Sequence, residues 1–81
     1  MMNYVIVGIG TSTSETDSDA ACAAADLRVV ASDKILVISL AAANAVLVKT
    51  TTAGTGTIAF VLSGNGGAGT VVTYAILRAL A

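Results

Sequence analysis

The sequence predicts an all-β fold: a small antiparallel β-sandwich or barrel of five to seven short strands, with one short helix as an option near residues 18–26. Three observations predict it. Short runs rich in valine, isoleucine, threonine and aromatic residues alternate with clusters of turn-forming glycine, asparagine, serine and aspartate. No proline interrupts a strand. The 81 residues suffice for one domain, which we expect to span residues 1–81.

The chain opens with a predicted strand and a polar loop. Residues 3–9 are mostly β-branched or aromatic, which favours a pleated surface. Residues 10–19 are hydrophilic and loop-like. Glu15, Asp17 and Asp19 alternate there, and hard cations take oxygen ligands from runs of this sort. The wider EF-hand pattern is missing, so a solvated acidic loop is the preferred interpretation, and cation binding stays open.

Residues 20–25 are nearly all alanine and allow two interpretations. Alanine is the best helix former, and Asp17, Ser18 or Asp19 could cap a short helix. The alternative is a strand of small residues that lets another surface approach closely. Both interpretations remain open at this level.

The middle of the chain alternates predicted strands with predicted turns. We expect strands at 27–31, 35–40 and 45–51, and turns at 32–34, 41–44 and 53–56. The strand at 35–40 carries apolar residues on both faces. So short a chain cannot cover both sides of such a strand, which indicates that another molecule covers one of them.

The last two predicted strands, 57–63 and 70–80, flank a glycine-rich loop at 64–69. In the first strand one face carries Ile58, Phe60 and Leu62, and the other carries Ala59 and Val61. In the second strand one side carries Val72, Tyr74, Ile76, Arg78 and Leu80, and the other carries Val71, Thr73, Ala75, Leu77 and Ala79.

Composition indicates self-association. Hydrophobic residues make up 56% of the chain and charged residues 11%, against about 25% charged in an average soluble domain. Small domains usually need a disulfide, a metal or a partner for stability. Cys22 is the only cysteine and there is no histidine, so neither an internal disulfide nor a zinc site is expected. Association with other chains is therefore the expected source of additional stability.

Several function classes are disfavoured by the residues present. The net charge is −1 without a basic cluster, which disfavours nucleic-acid binding. Glycines interrupt the longest uncharged stretch, 50–77, so no membrane span is expected. A Gly8-Ile9-Gly10 turn followed by Thr13 lacks the third small residue of a dinucleotide fingerprint, so no cofactor is expected. Without histidine or a pair of carboxylates, we expect no enzymatic activity.

Three segments carry a resemblance to a known class of proteins. They are Val30-Ala31-Ser32-Asp33-Lys34-Ile35-Leu36-Val37, Gly56-Thr57-Ile58-Ala59-Phe60-Val61-Leu62-Ser63-Gly64 and Val72-Thr73-Tyr74-Ala75-Ile76-Leu77-Arg78-Ala79. In that order they resemble small β-sandwich head decoration (cement) or other virion structural proteins of tailed bacteriophages. In that class the segment matching 19–25 is usually a strand, whereas alanines stand here in place of β-branched residues.

The resemblance implies a capsid decoration protein that binds the outer surface of an assembled capsid. It implies a homotrimer or another cyclic oligomer, with a major capsid protein as the second partner. The alternatives are a free-standing homo-oligomeric binding module and a filament subunit. Apolar strand positions are the candidate interface residues: Tyr4, Ile6, Ile35, Val37, Val46, Leu47, Phe60, Tyr74, Ile76 and Leu77.

Overall fold

A computed structural model describes residues 3–12 and 20–80, and within them it contains six strands and no helix. The strands are β1 (Tyr4–Thr11), β2 (Ala21–Ala25), β3 (Lys34–Ala41), β4 (Val48–Gly54), β5 (Thr57–Leu62) and β6 (Val71–Ala79). They form two three-stranded antiparallel sheets packed together. Sheet A has the order β1-β6-β3 and sheet B the order β2-β5-β4. The predicted small β-sandwich is therefore confirmed.

The core lies between the two sheets and is built from alternate residues of the strands. Ile58, Phe60 and Leu62 of β5 point inward, and Ala59 and Val61 point outward, as their alternation predicts. From β6, Val72, Tyr74 and Ile76 meet them, and the rings of Phe60 and Tyr74 lie 5.8 Å apart. The central strand of each sheet thus supplies most of the interior.

The alternative of a short helix near residues 18–26 is wrong for the described part of that segment. Ala21–Ala25 is an edge strand whose residues pair with β5, from Ala21 opposite Val61 to Ala25 opposite Thr57. Its inward residues, Cys22 and Ala24, are small and buried. Pairing with β5 outweighs the helical preference of alanine, because that preference is weak beside tertiary contacts.

The strand predicted at 27–31 is also wrong. Residues 26–33, here called the crossover loop, pass from sheet B to sheet A through two turns. The amide of Val29 donates to the carbonyl oxygen of Asp26 at 3.3 Å, and the amide of Asp33 donates to that of Val30 at 3.0 Å. Val29 is buried in the core, so its apolar side chain serves packing without strand pairing.

Three other elements differ in their boundaries from the predictions. The strand expected at 45–51 is shifted to Val48–Gly54, and the turn expected at 53–56 is reduced to Thr55 and Gly56. Gly56 has φ +76°, a left-handed conformation that favours glycine. The first strand continues beyond residue 9 to Thr11, with a bulge between Ile6 and Gly8. The acidic residues at 15–19 lie outside the described part of the chain.

Candidate functional site

The outer face of sheet A carries large apolar side chains on all three strands. Residues directly opposite each other in paired strands point to the same face. Ile6 lies opposite Leu77, and Ile9 and Leu36 lie opposite Ala75 on its two sides. We call the following set the apolar face: Tyr4, Ile6, Ile9, Leu36, Ile38, Ala75 and Leu77.

Water reaches most of this apolar face. Its five largest side chains on the two edge strands are between 42% and 58% exposed, with Tyr4 the least and Ile6 the most exposed. Ala75, at the centre, is only 2% exposed although it faces outward, because it is small and larger residues lie opposite it on both sides. Exposed apolar patches larger than a few hundred Å² are typical of interaction sites, so this face is the candidate interface of the chain.

Two bulges decide which residues belong to the apolar face. The bulge in β1 leaves Val7 packed against the core and turns Ile9 outward, although strict alternation from Ile6 would have placed Ile9 on the inner face. A second bulge lies in β3 between Val37 and Ser39, and its extra residue, Ile38, is exposed. Ile9 is absent from the predicted interface residues, and strict alternation could not have placed it there. Leu36 and Ile38 are absent because the prediction names Ile35 and Val37, on the opposite face of β3, instead.

The outer face of sheet B has a different character. Its residues are Ala21, Ala23, Ala25, Thr50, Thr52, Gly54, Thr57, Ala59 and Val61. Val61 is its one large apolar side chain, and the rest are small or carry hydroxyl groups. The two outer faces of the sandwich are therefore unlike, one apolar with bulky residues and one nearly flat.

A buried carboxylate fixes the start of the crossover loop. Asp26 accepts hydrogen bonds from the Arg28 guanidinium at 2.7 and 2.9 Å, from the Arg28 amide at 3.0 Å and from the Tyr74 hydroxyl at 2.8 Å. The guanidinium also donates to the carbonyl oxygen of Ile9 at 3.2 Å. It lies so close to Gly8 that no Cβ fits there. This cluster ties the loop to β1 and β6.

The protonation equilibria of this cluster follow from its contacts. Hydrogen bonds from Arg28 hold the pKa of the Asp26 carboxyl well below its usual range, against the opposing effect of burial. Burial, together with the neighbouring Asp26, raises the pKa of the Tyr74 hydroxyl to about 12. Asp26 is therefore an anion and Tyr74 a neutral donor at neutral pH.

A second carboxylate fixes the end of the crossover loop. Asp33 receives two hydrogen bonds of 2.8 Å from the Arg78 guanidinium and one of 3.0 Å from the Val30 amide. Arg78 also donates to the carbonyl oxygen of Arg28 at 2.8 Å. The hydrogen bonds from Arg78 lower the pKa of Asp33. Sequence reasoning missed both Asp–Arg pairs. Asp33 and Arg78 are 45 residues apart and leave no local pattern. Asp26 and Arg28, only two residues apart, lie at the start of a segment that is predicted to be a strand.

These pairs leave little charge on the described surface. Both arginines are paired with the two aspartates of the crossover loop. Lys34 and Lys49 are the other ionisable charges among residues 3–12 and 20–80, and neither makes an ion pair there. Lys34 lies opposite Leu77, at the margin of the apolar face. Because opposite residues of paired strands point to the same face, Lys34 adds one positive charge beside the apolar side chains.

The predicted interface residues divide into three groups. Phe60, Tyr74 and Ile76 are buried within the subunit and belong to its core. Ile35, Val37 and Val46 are half-buried and pack against that core. The other four are exposed or half-buried. Tyr4, Ile6 and Leu77 lie on the apolar face, and Leu47, which is 75% exposed, lies in the segment between β3 and β4.

A groove runs along the open side of the sandwich between β3 and β4. It has a volume of about 510 Å³ and is lined by Val37, Leu40, Val46, Leu47, Val48, Lys49, Thr50 and Thr51. Its walls are mainly aliphatic, and Lys49 brings one positive charge to the lining. The groove is thus a second surface feature, separate from the apolar face.

The described residues provide few groups for chemistry. No three histidine, cysteine, aspartate or glutamate side chains in this part of the chain lie together in a way that could hold a metal ion. Every buried polar side-chain atom there has a hydrogen-bond partner. No helix long and apolar enough to cross a membrane is present within these residues.

We compared the chain with known protein families, curated proteins and solved structures. No protein-family model, no curated protein and no solved structure matches the chain.

Proposed function

We propose that the chain is a virion structural protein, a capsid decoration (cement) protein that binds the outer surface of an assembled capsid. The observation that carries this proposal is the apolar face of sheet A, in which exposed apolar side chains of β1 and β3 flank β6 and Lys34 is the one charged neighbour among the described residues. The resemblance of residues 20–80 to small sandwich proteins of tailed bacteriophages supports the same role. In this role the partners are further copies of the chain and a major capsid protein.

Burial of apolar surface is the physical basis of the proposed function. Covering a half-exposed isoleucine or leucine contributes on the order of 1 kcal/mol, so one small face gives a modest affinity once association costs are subtracted. A capsid repeats its binding sites at fixed spacing. An oligomer that engages several neighbouring sites gains avidity without any new contact. A decoration protein therefore stabilises a shell by bridging subunits.

The proposal assigns neither a cofactor nor a catalytic step to the chain. The buried carboxylates of Asp26 and Asp33 and the buried hydroxyl of Tyr74 all hold the crossover loop in place. They are engaged with arginines and backbone groups and have no free position for a substrate. The proposal likewise includes no nucleic acid and no membrane.

Sedimentation with capsids tests the proposal directly. Purified chain is mixed with capsids of the virus that encodes it, and the pellet is compared with chain spun alone. We expect saturable binding and an increase in the temperature at which the capsids release their contents. Absence of the chain from purified virions, together with no binding to those capsids, would overturn the proposal.

The groove between β3 and β4 favours a second candidate, a free-standing oligomeric module that binds a small amphipathic anion. Its aliphatic walls and Lys49 suit an alkyl chain with a carboxylate. Titration with a medium-chain fatty acid, using wild-type chain and Lys49→Gln, tests this candidate. Negative-stain microscopy of the purified chain separates both candidates from a filament subunit, which would form fibres without any capsid.

A further inference from the structure

We infer that copies of this chain associate by a knob-and-groove contact, in which Leu27 of one copy fills the groove between β3 and β4 of the next copy. This inference names how the copies meet, and it rests on the proposed function for the expectation that they do. The contact leaves the apolar face of sheet A uncovered. That face therefore stays available to a capsid.

The knob is a fully exposed side chain on a loop that is held in place. Leu27 is 97% exposed, more than any other large apolar side chain in the described part of the chain. Its loop is held at both ends, where Asp26 accepts hydrogen bonds from Arg28 and Asp33 accepts them from Arg78. A group that is already ordered loses little conformational freedom on binding, so more of its burial contributes to affinity. Leu27 is thus suited to insert into an apolar recess.

The groove provides a recess of suitable size and chemistry. Its volume is about 510 Å³, and Val37, Leu40, Val46 and Val48 give it aliphatic walls. An apolar cavity of about 150 Å³ already accommodates a benzene-sized group. The groove therefore has room for a leucine side chain together with part of the loop that carries it.

The charges of the two surfaces are compatible. Lys49 is the one charged residue in the groove lining. The crossover loop contains two aspartates and one arginine, each in an ion pair, and Arg78 supplies the fourth charge of this neutral cluster. Lys34, which begins β3, points to the outer face of sheet A because it lies opposite Leu77. The loop therefore approaches Lys49 without net repulsion.

Leu27 cannot fill the groove of its own subunit. Ala25, two residues before it, lies opposite Thr57 at the start of β5, whereas Val48 of the groove lies opposite Leu62 at the end of β5. The five steps from residue 57 to residue 62 span about 17 Å of strand. In addition, β2 and β4 form opposite edges of sheet B. The contact therefore joins copies head to tail, and such contacts build rings when the rotation between copies closes.

The first test measures the mass of the chain in solution by light scattering at submillimolar concentration. We expect a multiple of the 7.9 kDa of one chain for the wild type. Leu27→Lys sets a second ammonium group against Lys49 and is expected to weaken association at least tenfold. Leu36→Lys is the matched control, because Leu36 is 52% exposed on the apolar face, and it is expected to keep the wild-type mass. Dissociation by Leu36→Lys but not by Leu27→Lys would overturn the inference.

The second test mixes two variants that lack different halves of the contact. Leu27→Lys keeps the groove but lacks the knob, whereas Leu47→Glu keeps the knob but places a charge at the groove. Both replaced side chains are at least 75% exposed, so both variants are expected to fold. Each variant alone is expected to be a monomer. An equimolar mixture, with one variant labelled with nitrogen-15, is expected to give a complex of one chain of each in native mass spectrometry, and a mixture without that complex would contradict the contact.

The outcomes separate the inference from the proposed function. A wild-type chain that stays monomeric at submillimolar concentration would overturn the inference, and binding of a fatty acid in its groove would then favour the second candidate function. If that monomer still bound capsids, the proposed function would survive. If the chain formed the knob-and-groove assembly but bound no capsid, the inference would stand and the proposed function would fail.

Discussion

The Tyr74 hydroxyl donates a 2.8 Å hydrogen bond to Oδ2 of Asp26, joining the central strand of sheet A to the residue that follows β2 of sheet B. The two residues are 48 positions apart in the sequence. Both are buried, so this contact connects the two layers of the sandwich through its interior. Asp26 also accepts hydrogen bonds from Arg28, whose guanidinium donates to the carbonyl oxygen of Ile9 in β1. Two of the predictions below follow from this contact.

Removing the Tyr74 hydroxyl is expected to destabilise the fold. In Tyr74→Phe, Asp26 keeps its hydrogen bonds from Arg28 but loses one buried donor, which costs about 1–2 kcal/mol. Urea unfolding at a fixed protein concentration measures this loss. Tyr4→Phe is the control, because the Tyr4 hydroxyl makes no hydrogen bond within the described residues. Equal midpoints for the two variants would contradict the role of this contact.

The same hydroxyl predicts a loss of stability in alkali. The pKa of Tyr74 is raised from 10.0 to about 12 in the folded chain. The stabilisation that it contributes is therefore complete below pH 10.0 and is lost as the pH rises towards 12, because the unfolded chain ionises first. We expect a steep fall in the unfolding midpoint over this interval in the wild type and a smaller fall in Tyr74→Phe. Parallel profiles would contradict the prediction.

Acid is expected to weaken the crossover loop. Asp26 and Asp33 have folded-state pKa values below their usual value of 3.8. Their stabilisation is present above that value and is lost as the pH falls through the folded-state pKa, mostly between about pH 5 and pH 2. Asp26→Asn should be less stable at neutral pH and should lose less on acidification. A variant profile as steep as that of the wild type would exclude Asp26 as a cause.

Phe60 is expected to act through the core, although sequence reasoning placed it among interface residues. Phe60→Leu leaves a small cavity beside Tyr74 and should lower the free energy of unfolding by about 1–3 kcal/mol. Val61→Ala, on the outer face of the same strand, should change it by less than about 0.5 kcal/mol. Light scattering should give both folded variants the wild-type mass. Dissociation by Phe60→Leu at full stability would place Phe60 in the interface after all.

A side chain at Gly8 is expected to lower the melting temperature of the protein. A Cβ at this position overlaps the Arg28 guanidinium, which cannot move without giving up its hydrogen bonds to Asp26. Gly8→Ala should therefore melt at a lower temperature than Gly64→Ala, whose added methyl group meets only Val46 Cγ1 at 3.6 Å. Adding Arg28→Ala to Gly8→Ala should lower the melting temperature less than Arg28→Ala lowers it alone. Equal melting of the two alanine variants would contradict the overlap.

Local patterns correctly predicted the strands near the carboxyl end of the chain. The alternation of Ile58, Phe60 and Leu62 with Ala59 and Val61 corresponds to buried and exposed positions in β5. Alternation is reliable there because adjacent side chains of a regular strand always point to opposite faces. Alternation alone would place Ile9 on the wrong face, since one extra residue in the bulge of β1 reverses the alternation from that point onward.

Local patterns left the outcome open at residues 20–25 and failed at 27–31, where distant partners outweigh local preference. Ala21–Ala25 is a strand because it forms hydrogen bonds with β5, and no residue within the segment predicts that pairing. Residues 26–33 form turns because Arg28, Tyr74 and Arg78 engage the carboxylates at both ends of the loop. The β-branched Val29 and Val30 predicted a strand, but their surroundings are decided by residues far along the chain.

The sequence alone determined the fold class, most of the strands and an excess of apolar side chains over what one small domain can hide. Only the tertiary structure decided which apolar side chains are hidden, with Phe60 and Tyr74 inside and Ile6, Ile9 and Leu36 outside. The physical reason is that a strand presents two faces by local geometry. Which face becomes the interior depends on the pairing and stacking of distant segments.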